Sequence, residues 1–204
     1  MANSDTPFGL RPVMHRNGAP YNGAAKPYYI PATYATALFI GDPVVKTGTS
    51  NTASVSAPGA GRFPPGTLPE INKATAGDGN AITGVIVGFA GDADDPVYNV
   101  ASTERVALVC DDPDIVFEIQ ADGSIAAAQV GLNAVVIYTN AGSTATGQSG
   151  VELDTTSDAP AADASNQLTI QGVVNREDNE AGSDFTKVLV KINNHTEAHA
   201  ALGI

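Results

Sequence analysis

The chain is poor in the residues that usually anchor chemistry. Of its 204 residues none is Trp, one is Cys and three are His. A single cysteine, Cys110, excludes an intrachain disulfide. It follows the run Val106-Ala107-Leu108-Val109 and reads as a small buried hydrophobe. A reactive thiol wants a nearby His or a positive field; Asp111 and Asp112 follow instead and oppose ionisation. Charged residues make up only 16%, so Thr, Ser, Asn and Gln must wet the surface. Bases are the scarcest charge: 10 Lys and Arg against 22 Asp and Glu, a net −12. Contact with phosphates needs Lys and Arg, so this balance argues against direct binding of nucleic acid. No apolar run approaches the roughly 18 residues of a membrane helix. The first residues lack the charged-then-apolar pattern of a secretory signal, so the chain is expected to be made in a cytoplasm and to stay soluble.

What is present is β-structure and punctuation. Gly 21 and Pro 13 imply many turns. Residues 28–46 hold the aromatic and β-branched runs Tyr28–Ile30 and Leu38–Ile40, then Gly41-Asp42-Pro43, then Val44-Val45. Such runs fit a pleated, half-buried surface. Gly accepts positive φ, Asp bonds its own backbone and Pro presets φ, so the motif predicts a sharp corner between two strands. Further strands are expected over 81–89, 105–110, 115–120, 134–138, 151–153, 167–175 and 185–193. Gly84 and Gly88 suggest bulges or close backbone approach. The short connector Asp111–Asp114 suggests that 105–110 and 115–120 form a hairpin. Ser124 and Gly131 bracket the one plausible helix, 124–130. Residues 81–87 echo 168–174 around Gly-Val-[Ile/Val], as equivalent strands of one barrel or sandwich would. The expected fold is all-β, an antiparallel sandwich or jelly-roll-like barrel.

The organisation reads in three parts: an extended N-terminal arm (1–27), a β-rich body (28–193) with a long loop at 48–80, and a C-terminal tail (194–204). The arm is dense in Pro and Gly yet carries Phe8, Leu10, Val13, Met14 and Tyr21, more apolar bulk than a disordered leader holds. It is expected to become ordered by lying on its own body or on a partner. Residues 1–62 carry a net +3 and residues 63–204 a net −15, so the basic segment is suited to an acidic protein surface.

Chemical motifs are weak. In His195-Thr-Glu-Ala-His199 the Glu stands one place later than in the zinc-protease pattern, about 100° round a helix. Asp92, Asp94 and Asp95, with Asp111, Asp112 and Asp114, offer oxygen ligands, but Pro96 and Pro113 interrupt both runs; solvated turn carboxylates are the plainer reading. No nucleophile elbow, phosphate loop or Cys-x-x-Cys is present, and no cofactor is implied.

Several phrases together are similar to a known family. They are Pro7–Val13, Asn17–Gly23, Tyr28–Pro31, Phe39–Val44, Gly84–Phe89, Asp111–Pro113, Phe117–Gln120 and Val188–Asn193 with His195. The chain resembles the head decoration, or cement, proteins of tailed bacteriophages, encoded beside the major capsid protein. The resemblance implies a β-rich body on the capsid exterior of the virion, made in the host bacterial cytoplasm, often a homotrimer, clamping neighbouring copies of the major capsid protein without catalysis. Phe8, Arg11, Arg16, Tyr21, Tyr28 and Tyr29 are the candidate contacts, because aromatics and Arg are enriched at interface hot spots. For Tyr28 and Tyr29 the alternative is packing within the chain's own fold. Two other classes stay open: a host-facing head fibre or carbohydrate-binding module using Phe63, and a hydrolase using Asp111 and Asp112.

Overall fold

The computed structural model describes residues 3–198. In chain order the strands are β1 (Arg11–His15), β2 (Lys26–Ile30), β3 (Pro43–Ser50), β4 (Val55–Ala57), β5 (Gly61–Phe63), β6 (Pro69–Lys73), β7 (Gly84–Phe89), β8 (Arg105–Cys110), β9 (Ile115–Gln120), β10 (Asn133–Ala134), β11 (Val136–Ile137), β12 (Glu152–Leu153), β13 (Leu168–Val173) and β14 (Lys187–Ile192). The fold is all-β. A five-stranded barrel closes in the order β2-β6-β3-β7-β8, and a five-stranded sheet runs β1-β9-β14-β13-β10 beside it. Two short ribbons, β4-β5 and β11-β12, complete it. All pairings are antiparallel except β2 with β6, which meet at Tyr29 and Glu70.

Period-2 alternation places the core. Ile115, Phe117 and Ile119 of β9 face inward with Val188, Val190 and Ile192 of β14, and Ile82, Val85 and Cys110 from the barrel side join them. Tyr28, Ile30, Val44, Ile71, Ile86, Ala107 and Val109 form the second core. All six residues of β9 are buried, so its outer face is covered as well. The cover comes from the N-terminal segment and Arg176: Arg11 and Arg176 both reach Glu118, at 2.5 and 2.7 Å.

The basic segment therefore lies on the chain's own acids. Arg16 stands 3.7 Å from Asp114, His15 3.6 Å from Asp112 and Lys26 2.8 Å from Asp111. β1 is an integral edge strand, and the chain then turns back through Met14 and Pro20.

Several expectations need correction. Residues 48–80 are not one loop: they carry the end of β3 and all of β4, β5 and β6. The signal is the buried–exposed–buried alternation of Val55, Ser56 and Ala57, too short to stand out among Thr, Ser and Gly. β8 and β9 do not form a hairpin. Both edges of β8 are taken by β2 and β7, so the 111–114 connector carries the chain from barrel to sheet. The helix reduces to one 3₁₀ turn, Ala127–Gln129, since two turns cannot hold themselves. Leu38 and Ile40 make only isolated bridges, to Asn99 and Gln148. The echoing segments lie in different sheets, and their glycines differ: Gly172 follows a bulge, whereas Gly84 pairs in register with Val44.

Candidate functional site

The corner at Gly41-Asp42-Pro43 organises the surface where the N-terminal segment meets the barrel. Leu10 donates its N–H to Gly41 O at 2.9 Å. Gly9 has φ +74° and Gly41 φ +95°, both left-handed. Asp42 is fully buried behind them. Its Oδ2 accepts the Phe39 N–H at 2.9 Å, and its Oδ1 accepts Ser149 Oγ at 2.6 Å and Lys73 Nζ at 3.0 Å. The Lys73 ammonium also lies 4.5 Å from the centre of the Tyr138 ring. This network ties strands β3 and β6 to the loop ahead of β12, and Ser149 sits directly under Gly9.

Above this floor is a cleft of about 300 Å³, lined by Phe8, Leu10, Arg11, Pro12, Tyr21, Ile40, Gly41, Ile86, Val87 and Gln148. One wall is the N-terminal segment and the other is the barrel. The Arg11 guanidinium lies 5.0 Å from the centre of the Phe8 ring and is held by Glu118. Tyr21 gives its hydroxyl hydrogen to Ala24 O at 2.7 Å. Burial, aided by the neighbouring Cys110, pushes that phenol up to about 12, so it stays a neutral donor. The site offers apolar rims, one fixed cation and no nucleophile paired with a base.

The six residues nominated from sequence are thus divided. Phe8, Arg11 and Tyr21 converge on the cleft. Arg16 is exposed and pairs weakly with Asp114, away from it. Tyr29 is half-buried on the barrel wall and donates to Glu104 at 2.7 Å. Tyr28 is only 3% exposed, packs in the barrel core away from this cleft and donates to Asp111 at 2.9 Å. Ile40, Val87 and Gln148 escaped the sequence reading because they reach the rim from three distant segments. Only the Gly-Asp-Pro corner next to Ile40 pointed there.

A second, more polar cavity of about 660 Å³ lies between Lys26, Tyr28 and Asp111 on one side and Lys46 and Glu197 on the other. Its two lysines are already matched, Lys26 to Asp111 and Lys46 to Glu197. The acid runs do turn work: Asp95 accepts the Asp92 N–H and Asp112 accepts the Asp114 N–H. His195 is buried, accepts the Glu197 N–H at Nδ1 and is held below the usual imidazole range by burial. His199 lies outside the described residues. Among the described residues no group of three His, Cys, Asp or Glu is placed to hold a metal ion, and no helix is long and apolar enough to cross a membrane. Phe63 is half-buried against the cluster of Val55, Ala57, Leu68 and Val106. No protein-family model, curated protein or solved structure matches this chain.

Proposed function

We propose that this chain is a virion structural protein of a tailed bacteriophage, which binds the outer surface of the capsid shell and stabilises it by bridging neighbouring capsid subunits. The observation that carries the reading is the convergence of Phe8, Arg11 and Tyr21 on one cleft whose floor is locked by the Gly9–Gly41 contact. An aromatic ring and an Arg held rigid by Glu118 lose little freedom on docking, which is what an interface anchor needs. Many copies on one shell raise the overall grip well beyond that of a single contact. Binding only the assembled, expanded shell stabilises it by mass action. The expected assembly is a homotrimer seated on the major capsid protein.

The test is co-sedimentation with heads assembled from the capsid protein encoded beside this chain. The wild type should pellet with expanded heads. Phe8→Ala, with its β-sheet circular dichroism unchanged, should bind about tenfold more weakly, the loss of one hot-spot side chain. Equal binding by both would remove the cleft from the interface, and no binding by the wild type would sink the reading.

A further inference from the structure

The tripeptide Asn-Gly-Ala occurs twice between β1 and β2, at 17–19 and at 22–24. Its local chemistry is the same in both places, but its setting in the fold is not. The first copy forms the tip of a tight hairpin that turns the chain back beside β1. His15 donates its N–H to Ala19 O at 2.8 Å, Gly18 donates to His15 O at 2.8 Å, and Met14 bridges Pro20 just below. The second copy lies past that hairpin, where the chain crosses outside any strand to β2. Asn22, Gly23 and Ala24 are exposed. Among the described residues no group accepts the Gly23 N–H. Both asparagines accept the N–H two residues on: Asn17 Oδ1 from Ala19 and Asn22 Oδ1 from Ala24, each at 3.0 Å.

We propose that Asn22-Gly23 is a site of spontaneous covalent modification, at which the folded chain converts Asn22 to aspartate and isoaspartate, while the hairpin protects Asn17-Gly18 from the same reaction. The Gly23 nitrogen gives its proton to hydroxide and attacks Asn22 Cγ. The Cγ–Nδ2 bond breaks, and ammonia leaves with a proton taken from water, which restores the hydroxide. A five-membered succinimide remains, and water opens it. Addition at Cγ gives aspartate; addition at the main-chain carbonyl gives isoaspartate, whose main chain runs through Cβ and Cγ.

The attacking nitrogen must be free to turn toward Cγ, and Gly23 has neither an acceptor on its N–H nor a Cβ to crowd the approach. The Ala24 N–H already sits on Asn22 Oδ1, the atom that gathers negative charge as the nitrogen adds, so it serves as an oxyanion donor. Asn17 has the equivalent donor in Ala19. There, however, the Gly18 nitrogen is tied to His15 O, and turning it would break that bond and the hairpin closure beside it.

The conversion reaches the cleft through Tyr21, one of its lining residues. The Tyr21 N–H is held by Val13 O at 3.1 Å and its hydroxyl by Ala24 O at 2.7 Å, so the two ties span the reactive pair. Isoaspartate lengthens the main chain by one methylene between them and loosens both. This inference goes beyond the shell-binding reading and holds whatever the cleft takes.

The test ages the full chain at pH 8, folded and in urea, and follows both asparagines by peptide mass spectrometry, with isoaspartyl peptides separated by chromatography. In the folded chain Asn22 should convert about tenfold faster than Asn17, the penalty for opening the hairpin bonds. In urea the two rates should agree within about twofold, because the hairpin bonds are gone. In the isolated isoaspartyl form, hydrogen exchange should show the Tyr21 amide losing protection several-fold while Ile119 in the middle of β9 keeps its own. Equal rates in the folded chain, an inert Asn22 while the denatured chain reacts, or the same rate ratio in urea as in the fold would each overturn the site. Unchanged protection at Tyr21 would overturn its link to the cleft.

Discussion

Gly9 and Gly41 meet backbone to backbone, with no room for a side chain on either. A Cβ on Gly9 would lie 2.7 Å from Gly41 O and 2.7 Å from Ser149 Cβ, and one on Gly41 would lie 2.8 Å from Phe8 O. Through this contact the N-terminal segment, the barrel corner and the loop at Ser149 form one piece. Gly9→Ala combines a left-handed φ with backbone overlap and should cost about 3 kcal/mol. Gly18 shares the left-handed φ but a Cβ there would meet nothing within 4 Å, so Gly18→Ala should cost only about 1 kcal/mol. Urea unfolding of the two variants checks the ordering.

The Asp42–Lys73 pair under that contact should be strongly coupled. Removing one partner of a buried pair strands the other and typically costs about 3–5 kcal/mol. Asp42→Ala should fall in that range. The double variant Asp42→Ala with Lys73→Met should recover part of the loss, because no buried charge is then left. A double-mutant cycle by urea unfolding measures the coupling, and strictly additive losses would contradict it.

Cys110 should be inert in the folded protein. Burial pushes its thiol up to about 11, with Asp111 and Asp112 adding to the effect. At pH 8 the thiolate is therefore scarce as well as covered. A thiol-reactive disulfide reagent should label the native chain only at the rate of unfolding, and the urea-denatured chain within seconds to minutes. Rapid labelling of the native chain would show that the β8 edge opens.

His195 makes stability depend on pH. Its folded value lies below the ordinary imidazole value of 6.5, so the unfolded chain binds the proton more tightly. Its contribution to stability is present above about pH 6.5 and is lost as pH falls below it. The drop in unfolding free energy between pH 7.5 and 5.5 should be smaller in His195→Gln than in the wild type. Contributions of the other titrating groups are common to both proteins and cancel in the comparison.

Much of the fold was legible because its longest strands are marked twice, by apolar content and by flanking turn residues. Ile115–Gln120, Leu168–Val173 and Lys187–Ile192 fall where those signals place them. The glycines at 84 and 88 were also readable: the first allows the close approach of Cys110, the second adjoins a bulge. Pairing was not legible. Asp111–Asp114 has the length of a hairpin connector, and only the claims of β2 and β7 on β8 show that it is a crossing. The site was half legible. Phe8, Arg11 and Tyr21 stood out as large groups among Pro and Gly, while Tyr28 and Tyr29 looked equivalent in sequence and differ in which side of β2 they occupy. Asp42, Lys73 and Ser149 left no shared signal, since residues 107 positions apart meet only in three dimensions.

The proposed function requires that the N-terminal face bind an assembled shell. Electron microscopy of heads incubated with the purified chain tests it most directly. Density for a β-rich body should appear on the outer surface, in many symmetric copies, with Phe8, Arg11 and Tyr21 turned toward the shell. Bare heads at saturating protein, or copies seated with that cleft facing solvent, would contradict it.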